Sequence, residues 1–140
     1  MYKSVIYPTP FDYAIQEQTL TTLQVVVPSI QFNNDCDFEL HEIRGVVWKA
    51  TPATSFDGSV LMQVSLANGE FLSNVPLDIF QFASVQSDQF SGYPKRIIPH
   101  TRIPASSELQ VQLTNNTTDT IYVQIVFSGF KVEKDNQGVR

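Results

Sequence analysis

Two stretches in the second half of the chain keep a strict two-residue rhythm, and that rhythm limits what the chain can fold into. Leu109, Val111 and Leu113 alternate with Glu108, Gln110, Gln112 and Thr114. Further on, Ile121, Val123, Ile125 and Phe127 alternate with Thr120, Tyr122, Gln124 and Ser128, with Val126 the one apolar residue out of phase. Successive side chains leave a strand on opposite sides, so this pattern predicts strands with one buried and one wet face. Between them Asn115-Asn116-Thr117-Thr118-Asp119 reads as a polar turn, built of residues that hydrogen-bond their own backbone. A β-hairpin follows.

The rest of the chain repeats this grammar. Leu20 to Val27 is rich in β-branched residues and stops at Pro28, which predicts one strand. Phe38 and Leu40 share a face, then the apolar phase moves to Ile43 and Val47. A bulge or bend near Gly45 would produce that shift. Val60, Met62, Val64 and Leu66 mark another strand, and Asn68-Gly69 is a two-residue hairpin signal. No stretch supports a helix of three turns. Roughly seven or eight short strands in one domain of 140 residues predict an antiparallel β-sandwich, most plausibly a jelly roll. Residues 14–132 form the sandwich, 1–13 an extended N-terminal arm, and 133–140 a mobile C-terminal tail. Pro8 and Pro10 suit the arm to an edge, lying by default across its own domain.

Composition narrows the function classes. Charged residues are 16%, whereas Ser, Thr, Asn and Gln together supply 42 of the 140 residues. Such a surface suits packing against protein better than steering an ionic substrate. A net charge of −5 argues against nucleic acid, which needs a basic stripe. Lys95, Arg96 and Arg102 are the one local basic concentration. No apolar run approaches the ~18 residues of a membrane span, and the first residues lack the apolar segment of a secretory signal. The expectation is a soluble protein made in a cytoplasm. With one cysteine, Cys36, no internal disulfide can form, and a buried structural thiol is expected.

Catalytic and metal motifs are sparse. His41 and His100 lie far apart in sequence without ligand spacing and read as surface or structural residues. Asp35, Asp37 and Glu39 alternate like a carboxylate ladder but lack the glycine and oxygen set of a Ca²⁺ loop. The sequons at Asn115 and Asn116 read as turn chemistry. No cofactor, no catalytic residue and no metal ligand is expected, and the chain reads as a non-enzyme. Residues 78–96 are irregular but aromatic, which marks an interaction loop or a plug for the open end of the core.

Four segments in order carry a family resemblance: Ser4-Val5-Ile6-Tyr7-Pro8; Asn33 to Leu40 leading to Ile43-Arg44-Gly45; Val60 to Pro76; and Ile97-Ile98-Pro99 with Ile103 to Leu109, Leu113-Thr114-Asn115 and Phe127 to Val132. The set resembles the small jelly-roll auxiliary capsid proteins, or cement and decoration proteins, of tailed bacteriophages. Ser29-Ile30-Gln31-Phe32 reads as an extra turn relative to that pattern. The resemblance implies a structural virion protein, a homo-oligomer (dimer or trimer) bound to the major capsid protein on the capsid exterior. Candidate interface residues are Tyr2, Tyr7, Phe11, Phe80, Phe82, Phe90 and Tyr93. A rival expectation is a carbohydrate-binding sandwich of a tail or adhesion apparatus, with Trp48, Phe56, Phe82 or Tyr93 stacking on sugars. A jelly-roll enzyme of cupin type would need clustered His and Glu ligands, and two histidines scattered in sequence make it the least expected of the three.

Overall fold

The alternating stretches become the middle of two sheets. The computed structural model describes residues 8–49, 58–66, 69–79, 84–86 and 95–134. Its strands are β1 (Thr9–Ala14), β2 (Gln18–Leu20), β3 (Val25–Val26), β4 (Ser29–Gln31), β5 (Asp37–Lys49), β6 (Gly58–Leu66), β7 (Gly69–Phe71), β8 (Leu77–Asp78), β9 (Ser84–Gln86), β10 (Lys95–Ile103), β11 (Glu108–Thr117) and β12 (Ile121–Val132). One sheet runs β1-β12-β5-β10, with β2 also on β12 and β9 also on β5. The other runs β3-β11-β6-β7, with β4 also on β11 and β8 also on β6. Among the described ladders all are antiparallel except β5–β9. The protein is an all-β sandwich.

The inward residues of both sheets make one core, as face-to-face packing requires. From the first sheet come Leu40, Ile43, Val47, Ile121, Val123, Ile125 and Phe127; from the second, Val60, Met62, Val64, Leu109, Val111 and Leu113. Removing these apolar surfaces from water, at about 25 cal/mol per Å², is the main favourable term. One end is closed by rings. Tyr13 meets Phe32 and Phe38 edge-on at centroid distances of 4.4 and 4.9 Å, geometry that the ring quadrupoles favour. The Tyr13 hydroxyl accepts from the Asn33 amide at 3.3 Å. Burial nevertheless pushes its pKa above the ordinary 10.0, because the phenolate would lose solvation.

Several local expectations are corrected. The expected single strand from Leu20 to Val27 is two: β2 ends in the first sheet and β3 starts in the second. Leu23, at φ 65°, turns the chain between them. Ser29 to Phe32 is not an extra turn, since β4 pairs with β11 and buries Ile30, and Phe32 just after it is buried too. The phase shift lies at His41, not Gly45. Ser128 faces Glu42 and Gly129 faces Leu40, leaving His41 as the extra residue of β5. Gly45 serves close approach instead, as a Cβ there would sit 2.7 Å from Ile125 Cδ1 and 2.9 Å from the Gln124 carbonyl oxygen. The irregular stretch 78–96 contains β9 and the start of β10. The arm assigned to residues 1–13 includes most of β1, which pairs with β12 from Thr9↔Lys131 to Ala14↔Val126. Of the tail, Glu133 and Lys134 are described, and residues 135–140 lie outside the described residues.

Asn115 overturns the expected turn most clearly. β11 continues to Thr117, and Asn115 is fully buried. Its Nδ2 reaches the carbonyls of Leu20 (3.1 Å), Thr21 (3.1 Å) and Asp119 (2.8 Å). Its Oδ1 accepts from the Thr117 amide (2.9 Å) and hydroxyl (2.6 Å). Its backbone oxygen accepts from Leu23 N and its own N–H donates to Gln24 O. One side chain therefore ties the β2–β3 crossing to the β11–β12 turn. Truncation leaves several carbonyls short of a donor in a site closed to water. Asn115→Ala is expected to cost roughly 2–4 kcal/mol in urea unfolding, with an unchanged slope.

Candidate functional site

Bulging β5 at His41 puts two consecutive side chains, His41 and Glu42, outside the core between inward Leu40 and Ile43. The opposite partner of β5 is irregular at the same level. Its register with β10 runs Arg96↔Glu42 and then Thr101↔Leu40, so Ile97 to His100 lie across from His41 alone. Two ladder faults on neighbouring strands thus bring residues 59 positions apart together (41 and 100). The His41 and His100 rings stack at 3.5 Å between centroids and 22° between planes. Bulges re-aim side chains in this way.

Glu39 completes the group from the same outer face of β5. Its Oε1 lies 2.7 Å from His41 Nε2 and 3.6 Å from His100 Nδ1. The donor atoms of all three residues fall within 4.8 Å of one another. Phe130 closes one side, its ring 4.9 Å from that of His41. Beside them opens a cleft of about 430 Å³ lined by Pro8, Glu39, His41, Phe130, Val132 and Glu133. A carboxylate and two imidazoles at a cleft can accept protons or hold a cation. Scattered in sequence, the two histidines are clustered in the fold.

The backbone beneath this group depends on Gly129. A Cβ there would come 1.9 Å from the Glu39 carbonyl oxygen and 3.1 Å from Phe38 Cζ. No rotamer relieves a clash with a main-chain atom. Arg102, facing Glu39 across β10–β5, is held elsewhere: its Nε donates to Asp37 at 2.8 Å and its Nη2 to the Glu133 carbonyl. Asp37 also accepts from the Ala105 amide at 2.8 Å. The carboxylate ladder of Asp35, Asp37 and Glu39 therefore divides: Asp37 secures the β10–β11 corner, and Glu39 turns to the histidines.

A second feature lies on the outer face of the other sheet. Ser29, Gln110 and Ser65 stand in register across β4, β11 and β6; Gln112 faces Gln63; Val25, Thr114 and Leu61 form the next row. Across β3/β4, β11 and β6 these three rows carry no charged residue; at the β7/β8 edge they meet Glu70 opposite Ser65 and Asp78 opposite Leu61. Exposed Leu23, Val25 and Val27 (73%, 50% and 52%) border the rows.

Of the expected interface residues, Phe11 is described: it is 39% exposed, edge-on to Tyr13 at 4.8 Å, with Lys131 Nζ 3.8 Å from its ring centroid. Tyr2, Tyr7, Phe80, Phe82, Phe90 and Tyr93 lie outside the residues whose side chains are described. Trp48 is half-buried and stacks on Tyr122 at 5.6 Å. Cys36 is buried and forms no disulfide. Comparison of the chain with protein-family models, with curated proteins and with solved structures found no match.

Gly129→Ala is expected to displace β5 at Glu39 and to destabilise the protein by roughly 2–4 kcal/mol. Urea unfolding measures the cost, and a stability equal to the parent would contradict the close approach.

Proposed function

We propose that the chain is a structural virion protein, a jelly-roll cement or decoration protein that binds the outside of a tailed-phage head and bridges major-capsid subunits. It acts without catalysis, as a dimer or trimer made in the host cytoplasm and bound to the assembled capsid. The capsid assignment rests on the ordered sequence resemblance. The strand order supports the jelly-roll part of the reading. Merging consecutive segments that pair with the same strand, β9 in parallel and β10 antiparallel on β5, leaves eight positions, with the chain passing β1/β2, β3/β4, β5, β6, β7/β8, β9/β10, β11 and β12. That gives the sheet orders 1-8-3-6 and 2-7-4-5, a double-sheet Greek-key path.

The observation that carries the contact function is the run of uncharged residues across β3/β4, β11 and β6 of the second sheet, with its apolar border. An interface core is depleted in charge, and amides and hydroxyls can pair across it as well as with water. Leu23 sharpens the point. It holds a left-handed backbone at φ 65° with its side chain mostly in solvent, where Asn or Gly would be less strained. An exposed leucine there is a cost to the isolated chain and a gain to a partner that covers it.

A carbohydrate-binding module is the second reading, favoured by the Trp48–Tyr122 stack on the outer face of the first sheet. A glycan array separates the two, since saccharide binding lost in Trp48→Ala supports the module and the cement reading requires none.

Purified protein mixed with undecorated heads is expected to bind saturably. Leu23→Asn is expected to keep or raise stability by up to about 1 kcal/mol while weakening head binding. Absence of binding by the folded parent overturns the proposal.

A further inference from the structure

We propose that Glu39, His41 and His100 form a binding site for one divalent transition-metal cation of the zinc class. The site lies on the other sheet from that proposed contact face and does not depend on the capsid reading.

The donor set comes first. Two imidazoles and one carboxylate are the borderline nitrogen and oxygen ligands that zinc-class ions take, in a three-ligand arrangement with one position left over. Ligand bonds of about 2.0–2.1 Å at tetrahedral angles space donor atoms about 3.4 Å apart. Here Glu39 Oε1 is 2.7 Å from His41 Nε2 and 3.6 Å from His100 Nδ1, and all three donors lie within 4.8 Å. Those values bracket the required spacing. Closing the set around an ion takes rotation of the two rings out of their 22° stack. Their partial exposure leaves room for it, with side chains 27% and 47% exposed for His41 and His100.

The backbone supplies an independent argument. The donors do not merely share a flat face. His41 is the extra residue of β5 against β12, and His100 ends the shifted segment of β10 against β5. Gly129 allows the Glu39 carbonyl to approach closely enough for the bulge to close. Regular pairing would have needed none of these irregularities, and their combined effect is to converge three ligand atoms. The carboxylate stays with the histidines because Arg102, its cross-strand neighbour, is engaged by Asp37. The adjoining cleft leaves the fourth coordination position to water or to a ligand from outside the chain.

The chain contains two histidines, both in this group, so histidine signals report on the site alone. The test titrates the metal-free full chain with Zn²⁺ by calorimetry and with Co²⁺ by visible absorption. One Zn²⁺ per chain is expected, with simultaneous shifts of both imidazoles by NMR and the intense d–d absorption of a four-coordinate Co²⁺ site. His41→Asn and His100→Asn are each expected to weaken Zn²⁺ binding by roughly 100-fold or more, and Glu39→Gln by at least about tenfold. Far-UV circular dichroism checks that these variants remain folded. Absence of saturable one-to-one binding overturns the proposal. So does binding that either histidine variant leaves at the parent affinity.

Discussion

The β5–β12 ladder, with its single extra residue at His41, is the constraint on which the rest of the structure depends. It joins the longest strands of the first sheet over Asp37 to Lys49 and Ile121 to Val132. Because strand side chains alternate, one inserted residue inverts every later assignment of inside and outside. The bulge lets Phe38 and Leu40 share the core with Ile43 and Val47, which a regular strand would send to the opposite face. Gly129 makes the insertion sterically feasible, since the Glu39 carbonyl occupies the space of its missing side chain. Core and site are consequences of the same irregularity.

The two outer faces differ in kind. On the first sheet, polar groups are specific: Arg44 joins Asp12 at 2.9 Å and donates to Ser128 at 3.2 Å, and the Glu39–His41–His100 group adjoins a cleft. On the second, serines, glutamines and threonine stand in neutral rows beside exposed Leu23, Val25 and Val27. The first face suits a small ligand held by a few convergent atoms. The second suits a broad protein contact. The core separates the two faces.

The sandwich class was legible because alternation depends on local order alone, and β6, β11 and β12 carry it cleanly. Less legible were features set by pairing. Asn115 looks like turn chemistry since its neighbours are turn formers, yet strand β11 carries it into the core, where it binds Leu20, Thr21 and Asp119. The break at Leu23 had no glycine or proline to announce it. The histidine cluster was hidden most deeply: β5 and β10 meet across 59 positions with a shifted register (41 to 100), and no spacing rule spans that. The one available signal is the phase change after Leu40, which marks a bulge but does not say whether His41 or the nearby Gly45 carries it.

The central claim is that two coincident ladder faults bring the chain's two histidines together. It is tested most directly by nuclear Overhauser measurements between the imidazole ring protons. With no other histidine in the chain, the assignment is unambiguous. Rings 3.5 Å apart are expected to give strong cross-peaks between His41 and His100. Cross-peaks confined to each ring and its own strand would contradict the bulged register and the site built on it.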